Sequence, residues 1–449
     1  MRDNFGSRVG IVLATAGSAV GLGNVWRFPF MAGQNGGAAF ILLYIGCIVL
    51  LGIPGMVSEF IVGRHAHANA AHAYAAIGGK RQWGLVGYLG ILTSAIILGF
   101  YSVVAGWCLH YLGASVAGSL QGDADRVSRY FREFSSDAVA PALLGVAFIL
   151  ITHWVVVRGV QRGIERASKV LMPLLLVLLL IIVVASCSLP GAGKGVEFLL
   201  KPDFSKVTPA TMLEALGQAF FSLSLGTACL CTYASYFSRK TPLLQSAAQI
   251  AIMDTLIAIL AGLMIFPAAF SVGVQPDSGP SLIFITLPNV FQQAFVGAPL
   301  LGRVVSVLFY ALLVFAALTS TISMHEIGTA FFHEKLGLER KKAAWILTVA
   351  CSLLCVGCSL SMGAVDGLTV MGLPLMEFCD YLTAQYMLPL GAMFTSLLIG
   401  WVVPRSVVRS EFTNGGTCGT RLFAVYLVAT RYVVPLGLIL IFLHQFGVI

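Results

Sequence analysis

The sequence of 449 residues predicts an all-α polytopic membrane protein, a single transmembrane domain of eleven helices. Three observations carry that expectation. Composition is the first: 58% of residues are hydrophobic and 10% are charged. A soluble domain carries about 25% charged residues, and a soluble chain this apolar could not cover its surface. Run length is the second. "FILLYIGCIVLLGIPGMV", "ALLGVAFILITHWVVV", "VLMPLLLVLLLIIVVAS", "AAWILTVACSLLCVGCSL" and "YMLPLGAMFTSLLIGWVV" each approach or exceed the roughly 18 residues that mark a spanning helix. The third is a repeated irregularity, two apolar segments five spans apart that are both interrupted near their centres.

The spans are expected at about 8–33, 38–64, 85–118, 138–158, 164–187, 208–237, 244–272, 301–334, 342–360, 371–402 and 421–446. The loop 283–295 between the seventh and eighth is amphipathic and reads as a short external helical hairpin, and 121–136 is the one strongly polar external loop. No low-complexity linker divides residues 1–449. One five-helix half covers about 8–187, a second about 208–402, and helix 11 about 421–446. Ten cysteines lie mostly inside apolar runs, among them Cys47, Cys229, Cys231 and Cys355, and read as small core residues.

Charge placement gives an orientation. Of 27 Lys and Arg residues, 18 fall on one side of these spans, 7 on the other, and Arg27 and Arg431 lie within spans. The positive-inside rule then puts the N-terminus in the cytoplasm, and an odd span count puts the C-terminus outside, extracellular or periplasmic. The net charge of +8 is therefore a topology signal, and no nucleic-acid partner is expected.

Hydrocarbon offers no hydrogen bonds, so unwound backbone at membrane depth must be buried in protein or line a polar cavity. Span 1 is interrupted at Ala19-Val20-Gly21-Leu22-Gly23, and span 6 in "FFSLSLGTACLCTY", around Ser222, Ser224, Gly226 and Thr227. A single glycine in a membrane helix ordinarily serves close packing. Two interruptions in corresponding halves point instead to an inverted-repeat transporter with its site at the midplane. Half-helix N-termini carry N–H groups and partial positive charge that suit a carboxylate. Freed carbonyls, with Asn24, Ser222, Thr319 and Ser320, offer the oxygen donors that a hard cation prefers. Asp254 begins the run "DTLIAILAGLMIFP". A carboxylate within a membrane is costly, about 2.5–3.5 kcal/mol on insertion scales, and is a functional candidate by default.

At these residues the chain resembles the neurotransmitter:sodium symporter family, bacterial branch, with the LeuT-type fold of a 5+5 inverted repeat and broken helices 1 and 6. The segments "GSAVGLGNVWRFP", "GIPGMVSEFIVGR", "RGIERASKVLMPLL", "FFSLSLGTACLCTYASY", "AGLMIFPAAF", "GPSLIFITLPNVF" and "ALTSTISMHE" carry the likeness in order from helix 1 to helix 8. The resemblance implies two Na⁺ sites. One would use Ala19, Asn24, Ser222 and Asp254, the other Gly17, Val20, Ala316, Thr319 and Ser320. It also implies a substrate pocket of Ser18, Ala19, Gly21, Leu22, Gly23, Ile97, Tyr101, Phe221, Ser222, Ser224, Thr227, Ala317, Ser320, Thr321 and Met324. An outer gate would pair Arg27 with Asp380, and Tyr101 and Phe221 would form the aromatic lid. An inner gate would pair Arg2 with Glu334, with Phe5 where the family usually has Trp. Glu59 matches a buried Glu that satisfies unwound backbone near helix 6.

The amine carriers of the family have Asp at the position of Gly21, so the resemblance implies a substrate that brings its own carboxylate. The pocket positions are uncharged and favour neutral side chains. Thr227 and Ser18 are smaller than the Phe and Asn of the leucine transporter, which makes room for a larger aliphatic or aromatic amino acid. Tyr44, Gln218 and Ser222 match chloride-site positions, but Ala258 replaces a Ser and Asp254 stands where many relatives have Asn. Chloride-independent transport is the expectation. The function expected is sodium-coupled symport of neutral hydrophobic or aromatic L-amino acids by alternating access, with no enzymatic activity, in a bacterial cytoplasmic membrane. The partners expected are the amino acid and the lipid bilayer, and a homodimer is left open. The competing reading is a sodium-dependent amino-acid sensor that does not concentrate its ligand. A metal site in "RHAHANAAH" (His65, His67, His72) lacks a second cluster or nearby acid, and Cys108 with His110 lacks an orienting carboxylate.

Overall fold

A computed structural model describes residues 5–120, 122, 124–273 and 282–446. The chain is almost entirely helical. In order the helices are α1 (Arg8–Ala19), α2 (Gly23–Gln34), α3 (Ala38–Ala66), α4 (Ala70–Gly78), α5 (Arg81–Ala117), α6 (Ala124–Ser135), α7 (Ala140–Val157), α8 (Val160–Cys187) and α9 (Gly193–Leu200). The second half continues with α10 (Pro209–Ser222), α11 (Cys229–Ala234), α12 (Leu243–Ser271), α13 (Leu287–Ala294), α14 (Pro299–Lys335), α15 (Arg340–Leu360), α16 (Leu375–Val402), α17 (Arg405–Phe412) and α18 (Phe423–Gln445). A two-residue antiparallel pair, β1 (Thr369–Val370) with β2 (Leu373–Pro374), closes the turn before α16.

Among the described residues nine helices are long and apolar enough to cross a membrane, and α1 with α2, bent by 57°, makes a tenth. The expected span at 208–237 is divided between α10 and α11, neither of which is long enough alone. The sequence count of eleven therefore exceeds the ten that length and hydropathy support. The stretch 283–295 is also simpler than expected: a π-helical turn, Leu282–Thr286, runs directly into α13 and forms one helical piece, not a hairpin.

Sequence explains the boundaries. Proline at the first helical position starts α10 and α14, where the missing N–H has no intrahelical partner to lose. Thr208 caps α10 and exchanges hydrogen bonds with Thr211. Gly159, at φ 90°, turns the chain sharply between α7 and α8. On α8, Val170, Val177 and Val184 recur every seventh residue and stay exposed, while Met172, Leu175, Leu179 and Ile182 are buried. One face of that helix is thus built for lipid and the other for protein. The buried side holds a single large apolar core, and the two helix interruptions meet inside it.

Candidate functional site

The first break follows from local backbone chemistry. Helix α1 ends at Ala19, and Val20 turns to extended backbone at φ −71°, ψ 109°. A π-helical turn, Gly23–Arg27, restarts the chain. The freed groups find side chains: Gly21 N–H donates to Asn24 Oδ1 at 3.0 Å, and Leu22 N–H donates to the Tyr101 hydroxyl at 3.0 Å. A side chain at Gly21 would be crowded, since a Cβ there falls 2.7 Å from Ser320 Oγ and 3.1 Å from Tyr101 Oη.

The second break spans residues 223–228. Ser224 (φ 53°), Gly226 (φ 84°) and Ala228 (φ 60°) all adopt left-handed backbone, a conformation that costs non-glycine residues about 1–2 kcal/mol each. Compensating contacts hold it. The Glu59 carboxylate, buried on α3, accepts Gly226 N–H at 2.7 Å. Thr227 Oγ1 donates to Ser224 O at 2.7 Å and accepts Cys229 N–H at 3.1 Å. Ser94 Oγ donates to Thr227 O at 2.7 Å, and Ser224 Oγ to Ser18 O at 3.1 Å, which ties the two breaks together. Backbone contact is tight as well. A Cβ on Gly226 would lie 2.1 Å from Leu388 O, and one on Gly391 would lie 2.6 Å from Gly226 O.

Asp254 is fully buried where the breaks meet. It accepts three hydrogen bonds: Asn24 Nδ2 to Oδ1 at 2.8 Å, Ser222 Oγ to Oδ2 at 2.7 Å, and Tyr44 Oη to Oδ2 at 3.0 Å. Charge-assisted bonds of this kind are the strong class. Gln218, also buried, has neither side-chain polar atom bonded within the described residues. A second oxygen cluster lies across α1 from α14. Thr319 Oγ1 is 3.4 Å from Val20 O and 3.0 Å from Ala316 O, and Ser320 Oγ is 3.3 Å from Val20 O.

A cavity of about 620 Å³ opens beside the breaks, a size typical of small-molecule sites. Its inner part is neutral and mixed, with Ser18, Ile97, Tyr101, Phe221, Thr227 and Met324. Ala19, Gly21, Gly23, Asn24, Ser222, Ser224 and Ser320 also line it. Leu22, Ala317 and Thr321 do not. The Thr321 hydroxyl is 2.8 Å from that of Thr152. Farther out the cavity is charged, with Arg27, Glu377 and Asp380. The Arg27 guanidinium sits 4.2 Å from the Phe221 ring centroid, a cation–π contact, and among the described residues no carboxylate, Asp380 included, lies within 4.0 Å of it.

Arg2, the expected inner-gate cation, lies outside the described residues. Its expected partner Glu334 accepts Asn69 N–H at 2.6 Å and Asn69 Nδ2 at 3.0 Å. Phe5 packs edge-on to Tyr233 and Tyr236 at 5.8 and 6.1 Å. Sequence reasoning missed Glu214, which hydrogen-bonds Asn35, and Glu326, a fully buried carboxylate bonded by Tyr236 Oη at 2.6 Å and by Arg340. Both are carboxylates within apolar stretches, the signal that singled out Asp254. The histidines of "RHAHANAAH" go separate ways, His65 to Glu411 at 3.2 Å and His67 to Ser235 O at 3.0 Å. His110 stacks on Phe134 with centroids 3.7 Å apart.

The model of the sodium:neurotransmitter symporter family matches residues 2–130 and 135–448. The chain belongs to that family. The symporter is 39% identical over 446 residues to an uncharacterized sodium-dependent transporter of Bacillus subtilis, YhdH, covering 99% of this chain and 98% of that one. It is 32% identical to an uncharacterized sodium-dependent transporter of Haemophilus influenzae, covering 99% and 98%. Identity falls to 25% with sodium-dependent nutrient amino acid transporter 1 of Drosophila erecta, covering 99% of this chain and 78% of that one. Among solved structures it matches MhsT in complex with L-phenylalanine, with a TM-score of 0.89, 39% identity and 99% coverage of both chains. The symporter is thus a multi-pass, sodium-dependent membrane transporter of the LeuT-type fold, and not an enzyme.

Proposed function

We propose that the symporter couples Na⁺ entry to uptake of neutral hydrophobic or aromatic L-amino acids, without chloride, in a bacterial cytoplasmic membrane. The observation that carries the reading is the buried Asp254 carboxylate, set by Asn24, Ser222 and Tyr44 against both helix breaks and next to a cavity whose inner wall is uncharged. One Na⁺ is assigned to the oxygens of Ala19, Asn24, Ser222 and Asp254. A second is assigned to Gly17, Val20, Ala316, Thr319 and Ser320. Asp254 contributes a fixed negative charge, which removes the need for chloride.

The substrate carboxylate meets the first break, where Tyr101 already bonds Leu22 N–H, and Gly21 leaves it room. The α-amino group meets carbonyls near Ala19 and Phe221. The side chain lies among Ser18, Ile97, Phe221, Thr227 and Met324. Phe221 bears the Arg27 guanidinium on its face, so Arg27, Asp380 and the aromatic pair form the outer closure. Arg2 and Glu334 form the inner one. Na⁺ binding orders the broken helices and substrate closes the outer side. Each net charge moved inward gains about 2.3 kcal/mol per 100 mV. The N-terminus is cytoplasmic. The crossing at 208–237, taken as one span through its break, restores eleven, with repeats at about 8–187 and 208–402. A homodimer is compatible with this arrangement.

The test is uptake into proteoliposomes, with competition by all twenty amino acids. The expected result is accumulation driven by an inward sodium gradient and unaffected when gluconate replaces chloride. Sodium-dependent binding without accumulation supports a sensor instead. Uptake that collapses without chloride overturns the role given to Asp254.

A further inference from the structure

A second cavity, of about 800 Å³, lies between α4, the start of α5 and the end of α14, beside the inner-closure residue Glu334 and separate from the cavity at the helix breaks. Its polar wall is formed by Asn69, His72, Arg81, Gln82, Glu334 and Lys335. Glu334 is the one acid there, and its carboxylate is held by the Asn69 main-chain and side-chain N–H groups at 2.6 and 3.0 Å. Among the described residues neither Arg81 nor Lys335 has an acidic partner within 4.0 Å. The cleft therefore presents two cations, a histidine and one carboxylate bound by Asn69 to whatever enters it.

Its surroundings narrow the ligand. Arg81 stands in a 3₁₀ turn, Arg81–Trp83, at the mouth of the long apolar α5. Within the next turn and a half, Leu85 is 68% and Tyr88 40% exposed, and both also line the cleft. The Tyr88 ring is fixed edge-on to Phe331 at 5.6 Å. An apolar, partly aromatic track thus rises from the basic cleft along the outside of the first turns of α5. Paired cations beneath an exposed apolar track match an anionic headgroup whose acyl chain continues into the bilayer. A free phosphate would use the cations but not the track. Basic pockets between membrane helices at the cytoplasmic surface bind anionic headgroups by this arrangement.

We propose that this cleft binds the phosphate-bearing headgroup of an anionic phospholipid, with Arg81 and Lys335 on the phosphate and an acyl chain along Leu85 and Tyr88. Naming the leaflet cytoplasmic rests on the orientation proposed above. The headgroup contact does not, and neither depends on the transported substrate.

The test is a titration of the purified full chain with phosphatidylglycerol, read by native mass spectrometry, with phosphatidylcholine as the neutral control. The expected result is a tight phosphatidylglycerol adduct that phosphatidylcholine does not form. Each cation near the membrane surface strengthens such binding about fivefold, so Arg81→Gln and Lys335→Gln should each weaken it by about that factor, and the double variant about twenty-five-fold. Lys341→Gln/Lys342→Gln removes the same charge from the start of α15 and should leave the adduct intact. The charge-keeping variant Arg81→Lys/Lys335→Arg should retain it even if the neutral double variant fails to fold. Equal loss in the two neutral double variants, or loss in neither, overturns the proposal. Displacement of the adduct by inorganic phosphate at matched ionic strength, where chloride does not displace it, also overturns it, in favour of a soluble phosphate ligand.

Discussion

Replacing Asp254 with Asn tests the ion assignment with little disturbance of shape. The carboxylate accepts one bond at Oδ1, from Asn24, and two at Oδ2, from Ser222 and Tyr44. An Asn side chain keeps its acceptor toward Asn24 only by turning its NH₂ to the two hydroxyls. Both hydroxyls can rotate to accept, so the fold survives, at a loss of about 1–3 kcal/mol for bonds that were charge-assisted. Sodium binding loses more. A unit cation about 4 Å from a carboxylate gains about 4 kcal/mol at an effective dielectric of about 20, about a thousandfold in affinity. The neutral oxygens that remain offset part of that loss. The assay is sodium-dependent binding of a radiolabelled amino acid in chloride-free buffer. Asp254→Asn should raise the sodium concentration for half-saturation by at least about tenfold, and added chloride should recover part of it. An unchanged half-saturation without chloride would refute the reasoning, because the carboxylate would then contribute no charge to the ion site.

Three other outcomes are expected. Gly21→Asp should abolish amino-acid binding, since its Cβ alone lies 2.7 Å from Ser320 Oγ and its charge repels the substrate carboxylate; normal binding would count against the substrate pose. Thr319→Val keeps the side-chain shape but removes a hydroxyl oxygen 3.0 Å from Ala316 O, so the sodium dependence of uptake should lose its sigmoidal form, and a curve of wild-type steepness would remove Thr319 from the second site. Glu411 pairs with Arg64 at 2.8 Å, with only 2% of the arginine side chain exposed. Burial pushes the Glu411 carboxyl up, but the His65 hydrogen bond and the Arg64 guanidinium together hold it below its usual value. A lowered folded value means that this stability is present above the unfolded glutamate pKa, about 4.3, and is lost as pH falls through the folded one. Glu411→Gln should destabilise by about 1–3 kcal/mol, because Arg64 loses its charged partner but keeps its bonds to Thr241 O, Asn414 Oδ1 and the main-chain carbonyl of residue 411, and should flatten the acid limb of thermal stability; an unchanged melting temperature at neutral pH would deny the pair a structural role.

Long apolar runs made most spans legible, since length and hydropathy alone define them. Span 6 was legible as interrupted, but hydropathy cannot state where its backbone turns left-handed. Short helices such as α4 and α17 are not legible, because their periodicity is too brief to separate from a loop. The π-helical turn at Gly23–Arg27 has no sequence signature of its own, and it shifts the helix face that follows. Within the site, Asp254 is bonded by Asn24 and Ser222, and Tyr101 by the Leu22 main chain, all residues that the interrupted segments, the lone carboxylate and the family resemblance single out. Thr321 does not line the cavity, because its hydroxyl turns to Thr152 on a neighbouring helix, a tertiary pairing that no local pattern encodes. Glu214 was readable by the rule that flagged Asp254 but was passed over near the end of its span.

The facing glycines at Gly226 and Gly391 make the two interruptions mechanically unequal. The second is pressed backbone to backbone against α16, where neither chain can withdraw or admit a methyl group without separating main chains. The first is restrained by single side-chain hydrogen bonds with Asn24, Tyr101, Thr319 and Ser320, which can break and re-form singly. One interruption is therefore fixed by main-chain packing, and the other by side-chain bonds that can be exchanged one at a time.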